Sequence, residues 1–453
     1  MLAVLTNTWA LLLGMFLIML GNGLQGTVLG VRGGLEGFSN FTMGFVMSAY
    51  FLGFLGGAQI TPWLLRRVGH VRVFAALASL MSAALILYAA VVHPAAWIAM
   101  RLAVGFCMSG IYVVAESWLN DGVDNRRRGQ ALSAYLMVQM MGIVLAQGLL
   151  NVADPAGYDL FVIMAVAVSF AVVPILLSVS PTPVFETGKP MSLAELYRAS
   201  PLGVVSCVLL GGIFACIFGM ASVFGTRAGL TNAEISIFIG AIYVGGMVLQ
   251  YPIGWLSDRM DRRILILGAT TVGAAGGVLM AFTDGAFLPM VVGAVLVGGM
   301  ANPLYGIVVA YTNDYLEPDR MAAAAGGLII LNGIGAAGTP ILVGYTMDAV
   351  GPIGFPAFVT ALLGGIAVYA LYRMTVRPST PVDETMPVAP MGMIASPVAG
   401  TAAQEVVISQ AEAEAEQAPS DWADAASHDP DRVEEAEELE RAGPGERPTG
   451  GGS

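Results

Sequence analysis

The sequence carries little charge. Only 11% of its 453 residues are Asp, Glu, Lys or Arg, whereas 56% are hydrophobic; a soluble domain has about a quarter charged residues. The formal net charge of −12 is also localised, because 16 of the 32 acidic residues follow residue 377, where there are only three Arg. The rest of the chain is nearly neutral and shows no basic patch that would hold nucleic acid. The composition therefore indicates a membrane protein with an acidic tail.

Groups that carry chemistry are scarce as well. None of the three histidines falls in the middle of an apolar run, no P-loop is present, and no Ser/His arrangement or metal-ligand spacing is found. These absences argue against an enzyme, against a metal or other cofactor, and against ATP drive within the chain. The three cysteines all lie inside apolar runs and are expected to be buried free thiols: Cys107, Cys207 and Cys216.

Long apolar runs are what the sequence has in quantity. A hydrocarbon core of about 30 Å needs about 20 apolar residues per helix, and each run is predicted to be a helix because lipid cannot satisfy open backbone groups. The first run has no basic region before it, so we expect a retained helix rather than a cleaved signal peptide. The twelve predicted spans are 8–31, 40–64, 72–92, 94–119, 129–150, 158–180, 201–226, 232–256, 262–283, 287–312, 320–347 and 351–374.

Basic residues fall almost entirely on one side of these spans. Only Arg32 and Arg227 fall on the other side. Because basic residues mark the cytoplasmic side, both termini are predicted to be cytoplasmic in a multi-pass protein of the cell (inner) membrane. The residues on the cytoplasmic side are Arg66, Arg67, Arg72, Arg126, Arg127, Arg128, Lys189, Arg198, Arg259, Arg262, Arg263, Arg320 and Arg373.

The two halves of the chain look duplicated. A shift of 193 residues superimposes Tyr50 on Tyr243, Tyr112 on Tyr305, Gln139 on Asn332, Asn120–Asp121 on Asn313–Asp314, Gly105 on Gly298 and Gly142 on Gly335. Such repeats predict two six-helix bundles with a binding site between them. The expected fold is an all-α integral membrane protein of twelve transmembrane helices in two pseudo-symmetric bundles. Its expected parts are residues 1–180, a linker with a short surface helix at 181–200, residues 201–376, and a disordered acidic cytoplasmic tail at 377–453.

The loop "GWLSDRMDRR" (254–263) combines a glycine, an acid and three arginines. We expect Gly254 to permit close helix approach and Asp258 to pair with a nearby arginine, forming a latch between helices. The pattern resembles the conserved loop motif of the major facilitator superfamily, with Asp261 where that family usually has Gly. The earlier copy "PWLLRRVGHVR" (62–72) has Arg66 at the position of the acid. The candidate latch residues are Arg66, Arg67, Arg72, Gly254, Asp258, Arg259, Arg262 and Arg263.

The fourth span carries two intramembrane charges, Arg101 and Glu116. With Gly105 and Tyr112 they share one helix face, yet they lie about 22 Å apart along the axis and cannot pair within the helix. Such charges are costly and mark pathways or relays. Glu116 is a proton-coupling acid, a gate that pairs with Arg66, Arg67 or Arg72, or an interfacial acid without a special role.

Two further segments resemble the YcaD-like branch of the family: "RLAVGFCMSGIYVVAESWLN" (101–120) and "RRRGQALSAYLMV" (126–138). The resemblance covers roughly residues 1–374 and implies that the fourth span lines a central cavity. "RLAVG" is also similar to the family's Arg-x-x-x-Gly pattern, which implies a part for Arg101 in proton coupling.

Polar residues within the spans are candidates for that cavity, although each is also able to bridge helices. Arg32 and Arg227 are interpreted as interfacial charges, with outer-gate anchors as the alternative. The cavity candidates are Asn22, Gln25, Tyr50, Arg101, Tyr112, Tyr135, Gln139, Tyr243, Asn302, Tyr305 and Asn332.

The resulting prediction is a monomeric secondary transporter that moves a small molecule through the bilayer by alternating access, with proton coupling, as symport or antiport. An uncoupled uniporter, or a receptor or scaffold acting through the acidic tail, are the alternatives. An anionic or zwitterionic substrate is favoured because Arg101 is the charged member of the cavity set.

Overall fold

The computed structural model describes residues 2–121, 125–177, 191–283, 285–376 and 403–404. These residues are helical and include no strand. The helices are α1 Leu2–Leu35, α2 Asn40–Val68, α3 His70–Ala90, α4 Pro94–Asp121, α5 Asn125–Leu149, α6 Asp159–Leu177, α7 Leu193–Ala199, α8 Pro201–Ala215, α9 Ala221–Arg227, α10 Asn232–Ser257, α11 Arg262–Ala281, α12 Phe287–Asn313, α13 Pro318–Val350 and α14 Gly354–Val376.

Twelve of the described segments are long and apolar enough to cross a membrane. They correspond one to one with the predicted spans, and the predicted all-α fold is confirmed. The seventh crossing, Pro201–Arg227, is composed of α8, α9 and a π-helical turn between them at Cys216–Met220. A π turn inserts an extra residue into a helix and is frequent at functional sites. This π turn was not predicted from the sequence.

In the first half, α1 packs against α5 and α6, α2 packs against α4, and α3 packs against α6. The helices of the second half pack as α8 with α13 and α14, and α11 with α12 and α14. The halves meet along α2 with α13, α1 with α9, and α5 with α10. The division into bundles at 181–200 stays a prediction.

Matched glycines show the same helix crossings in both halves. A Cβ built on Gly105 of α4 would lie 1.9 Å from the Tyr50 carbonyl oxygen of α2, and one on Gly298 of α12 would lie 2.0 Å from the Ile242 oxygen of α10. Only a residue without a side chain allows backbones to approach so closely. The shift of 193 residues therefore relates equivalent helix contacts as well as equivalent residues.

The short helix α7 lies in the predicted linker, just before the second half, and its first turn is capped. Ser192 Oγ accepts a hydrogen bond from the Glu195 amide and the Glu195 carboxylate accepts one from the Ser192 amide, which is the predicted capping box at the start of α7. The Ser192 hydroxyl also donates to the Glu195 carboxylate, and this bond, together with the one from the Ser192 amide, lowers the pKa of Glu195. Residues 178–190 and most of 377–453 lie outside the described residues. Within the latter segment, Ala403 and Gln404 are helical and buried, and Asn313 Nδ2 donates to Gln404 Oε1 over 2.6 Å.

Candidate functional site

A cavity of about 30 Å³ lies between the two halves and is partly open to solvent. Four of the predicted cavity residues line it, two from each half: Tyr112 and Gln139, and Tyr243 and Asn302. The remaining lining is mostly apolar and includes Ile143, Phe214, Ile217, Phe218 and Ile242. An apolar pocket with a few polar groups is the usual form of a small-molecule site.

Arg101 lies next to this cavity and is fully buried. Its guanidinium carbon is 4.8 Å from the centre of the Tyr50 ring and 5.8 Å from that of the Phe218 ring. Nη2 donates to the Met47 sulfur over 3.4 Å, while Nε and Nη1 have no hydrogen-bond partner. A cation–π contact is worth about 2 kcal/mol when desolvated, whereas removing an ion from water costs several kcal/mol. The surroundings of Arg101 thus compensate its charge only in part.

Three more buried polar side chains beside Arg101 are incompletely satisfied. Gln25 and Tyr88 have no partner apart from each other, and Asn22 has none at Oδ1. Asn22 Nδ2 contacts the Tyr50 hydroxyl at 3.5 Å. We call Asn22, Gln25, Tyr50, Tyr88 and Arg101 the Arg101 cluster. Buried polar groups are normally hydrogen-bonded, so each exception needs a reason.

Glu116 lies one helical turn beyond Tyr112 on the same face and is only 2% exposed. The Tyr135 hydroxyl of α5 donates to its Oε1 over 3.3 Å. Among the described residues, no ion pair joins Glu116 to Arg66, Arg67 or Arg72. His70 contacts the neighbouring Ser117 hydroxyl at 3.0 Å. The gate and the proton-coupling interpretations of Glu116 both stay predictions.

The two remaining cavity candidates lie within the second half. Asn332 Nδ2 of α13 donates to the Cys207 carbonyl of α8 over 3.4 Å, and Tyr305 is buried in α12. The structure does not place either in the lining of the cavity. Asn332 acts there as a bridge between helices, the alternative left open for every polar residue in a span.

Polar contacts join the halves at the end of the bundle where α9 finishes, which we call the Arg227 end. Arg227 donates to the Phe38 carbonyl over 2.6 Å and to Asn40 Oδ1 over 2.9 Å. Asp348, at the end of α13, accepts from the Asn40 and Phe41 amides over 3.1 and 2.9 Å. Arg227 thus makes polar contacts across the two halves, and its interfacial and outer-gate interpretations both stay predictions.

At the opposite end, the loop at 254–263 is held by ion pairs. Arg262 and Asp314 form a pair whose side chains are 2% and 4% exposed, and Arg263 Nη2 lies 2.8 Å from Asp261 Oδ2. Burial raises the pKa of the Asp314 carboxyl, and Arg262 offsets only part of that rise. In the sequence, Asp314 is visible only as the counterpart of Asp121, and its pairing with Arg262 was not predicted. This pair ties α11 to α12 within one half, so it does not itself join the two halves.

The predicted latch differs from expectation at Gly254. A Cβ built on Gly254 meets no atom within 4 Å, so the expectation that Gly254 permits close helix approach is wrong for this structure. Equivalent arginines in the two loop copies stack on equivalent tryptophans. The guanidinium carbon of Arg259 is 4.2 Å from the centre of the Trp255 ring, and that of Arg67 is 5.3 Å from the centre of the Trp63 ring. No group of three or more His, Cys, Asp or Glu in the described part of the chain is arranged to hold a metal ion.

Comparison with known proteins agrees with this architecture. The sequence profile of the Major Facilitator Superfamily matches residues 11–248 and 204–409. The uncharacterized MFS-type transporter YcaD of Escherichia fergusonii is 25% identical over 328 residues, which cover 72% of this chain and 85% of that protein. YcaD of Salmonella heidelberg is 25% identical over 330 residues, with the same coverage of 72% and 85%.

Solved structures show the same fold at low identity. The nucleoside transporter NupG has a TM-score of 0.63 and 16% identity, covering 81% of this chain and 98% of its own. An inward-facing, occupied bacterial homologue of the human lysosomal transporter Spinster has a TM-score of 0.66 and 14% identity, covering 84% and 98%. Together with the profile match, these similarities show that the chain belongs to the Major Facilitator Superfamily, resembles its YcaD-type transporters, and is a secondary transporter in a membrane rather than an enzyme.

Proposed function

We propose that the protein carries a small molecule through the central cavity by alternating access and that a proton gradient drives the cycle. Both termini lie in the cytoplasm in this proposal, because the basic residues follow the positive-inside rule. The Arg227 end then faces outward, and the loop at 254–263 faces the cytoplasm.

The observation that carries the proposal is the position of the cavity relative to the contacts between halves. The cavity is lined by residues of α4 and α5 from one half and by residues of α8, α10 and α12 from the other. The contacts of Arg227 and Asp348 join the halves at the Arg227 end. Rocking the halves about such a site exposes it alternately to the two sides. The contacts at the Arg227 end would break in the outward-open state.

Glu116 is the acid proposed to couple this motion to protons. Glu116 is buried one turn from Tyr112 and accepts a hydrogen bond from Tyr135 on α5, so movement of these helices would change its exposure to water. A proton taken up from one side and released to the other would change the charge beside the cavity during the cycle. The alternative is a gate, in which Glu116 pairs with Arg66, Arg67 or Arg72 once the cytoplasmic end closes.

Glu116→Gln distinguishes these roles without knowledge of the substrate. Spin labels at Tyr158 and Leu288 report the Arg227 end, and labels at Leu177 and Tyr251 report the opposite end; all four side chains are exposed. In the wild type, we expect pulsed electron paramagnetic resonance distances at the two ends to change in opposite directions between acid and alkaline pH. In Glu116→Gln, which cannot lose a proton, we expect the acid distribution at every pH.

A pH response in Glu116→Gln equal to that of the wild type would leave Glu116 with the gate role only. Distances that stay fixed at every pH in the wild type would argue against proton-driven alternating access and favour the uniporter. Arg198→Gln on the exposed face of α7 is the matched control, because it removes a charge far from the cavity and should leave the pH response unchanged.

A further inference from the structure

We propose that the Arg101 cluster binds the anionic group of the substrate, and that the substrate is an amphiphilic organic anion whose apolar body lies in the central cavity. This inference rests on the proposed function only in taking the cavity as the place where the substrate binds. It adds the chemical class of the substrate and the residues that recognise it.

The first argument is the unsatisfied charge of Arg101. Among the described residues, it forms no ion pair, and its neighbours are two aromatic faces and a thioether. Nε and Nη1 are both free to donate. A guanidinium presents its N–H groups as a fork that matches the two oxygens of a carboxylate. An anion placed there would supply the missing counter-charge.

The second argument is that the unsatisfied groups occur together. Gln25 and Tyr88 lie close enough to hydrogen-bond to each other, in the same buried region as the free N–H groups of Arg101. Buried polar groups that are only partly satisfied are unlike a packed apolar core, in which polar groups are paired. The charge in this group belongs to Arg101, so the cluster suits an anion and disfavours a cation.

The third argument is the connection between the cluster and the cavity. Phe218 lines the cavity, and its ring also covers the Arg101 guanidinium. Phe218 lies in the π-helical turn Cys216–Met220. This turn holds one residue more than a regular α-helical turn, so its conversion to α-helix would shift the residues around it by one position. Such a change rotates the turn and moves the Phe218 ring, which would open the cluster to the cavity. The π turn therefore gives the covered arginine a route to the substrate.

The fourth argument concerns the rest of the substrate. Leu136, Met140, Ile143, Phe214 and Ile217 form most of the lining around the four polar residues of the cavity. A sugar would require many more hydrogen-bonding groups than this lining offers. A molecule with an apolar chain or ring and one carboxylate satisfies both the lining and Arg101.

The test is equilibrium binding to the purified full chain in detergent. Thermal unfolding is followed at pH 7.5 with 3-phenylpropionate, indole-3-acetate and octanoate, each paired with its uncharged primary amide. We expect at least one carboxylate to raise the unfolding midpoint by about 2–4 °C at high excess, and its amide to have no effect. Arg101→Gln should abolish the rise, Arg101→Lys should weaken it, and the control Arg198→Gln should preserve it.

The proposal is overturned if no carboxylate stabilises the wild type, if the amides stabilise it equally, or if Arg101→Gln keeps the rise. A second measurement needs no variant of Arg101: modification by phenylglyoxal, read by mass spectrometry. We expect Arg101 to react slowly in the wild type, faster in Phe218→Ala, and slowly again when the stabilising carboxylate is present. Reactivity that the carboxylate does not change would contradict the proposal. Both measurements use no gradient, so their failure would leave the pH response of the proposed function intact.

Discussion

Replacing Asp314 with alanine is expected to lower the free energy of unfolding by about 3 kcal/mol, because the buried guanidinium of Arg262 loses its carboxylate partner. Both side chains are almost fully removed from solvent, so water cannot replace the lost contact. The pair joins the start of α11 to the end of α12, and the variant should also loosen that end of the second half. Thermal unfolding of the detergent-purified protein, followed by tryptophan fluorescence, measures the effect.

A double variant separates the charge from the packing. In Arg262→Met/Asp314→Leu both charges of the pair are gone, so neither is left without the other. We expect this protein to be more stable than Asp314→Ala, since apolar replacement of a buried pair is often neutral. An Asp314→Ala protein that unfolds at the wild-type midpoint would show that the pair contributes little to stability. A double variant that loses more than the single one would show that packing, rather than charge, sets the cost.

The membrane fold was predictable from the sequence because one physical constraint dominates it. Lipid demands apolar helices of fixed minimum length, and runs such as 94–119 satisfy that demand without ambiguity, as the helix Pro94–Asp121 confirms. The duplication was visible for a related reason. Gly105 and Gly298 are both required where two backbones cross, so the matched positions survive as a pattern in the sequence.

The candidate site was less predictable because its groups are joined by packing and not by spacing. Asp314 was noticed only as the twin of Asp121, and nothing in the loop motif indicates that it reaches Arg262. Tyr88 and Phe218 resemble ordinary aromatic residues in apolar runs, yet Tyr88 adds a buried hydroxyl to the Arg101 cluster and Phe218 covers the Arg101 guanidinium. The π turn that carries Phe218 has no residue pattern by which we would have recognised it.

For Arg101, the sequence and the structure each supply part of the argument. Its position in the fourth span identified it as costly, but the sequence did not say whether an acid elsewhere neutralises it. The described structure surrounds it with Tyr50, Phe218 and Met47. A charge that is expensive to bury and has no acidic partner among the described residues is best explained by an anion that binds to it. The substrate class is thus inferred from what the fold leaves unsatisfied.

Replacing Gly105 with alanine is the second large effect we expect. The new Cβ would lie 1.9 Å from the Tyr50 carbonyl oxygen, so α2 and α4 must separate, at a cost of about 3 kcal/mol. Gly298→Ala should cost a similar amount, because its Cβ would lie 2.0 Å from the Ile242 oxygen. Gly56→Ala is the control: it lies on α2, has nothing within 4 Å of its Cβ, and should be neutral. The unfolding midpoint and the monodisperse fraction after detergent extraction measure all three.

The two twin variants should differ in one property even though they lose stability alike. Gly105→Ala displaces Tyr50, whose ring faces the Arg101 guanidinium, so it should also reduce the stabilisation given by carboxylates. Gly298→Ala leaves the Arg101 contacts in place but alters α10 and α12, whose Ile242 and Gly298 line the cavity, so it should weaken that response less than Gly105→Ala does. Equal stability of Gly105→Ala and Gly56→Ala would contradict the close crossing of α2 and α4. An equal loss of carboxylate binding in both twins would show that the response follows overall stability and not the Tyr50–Arg101 contact.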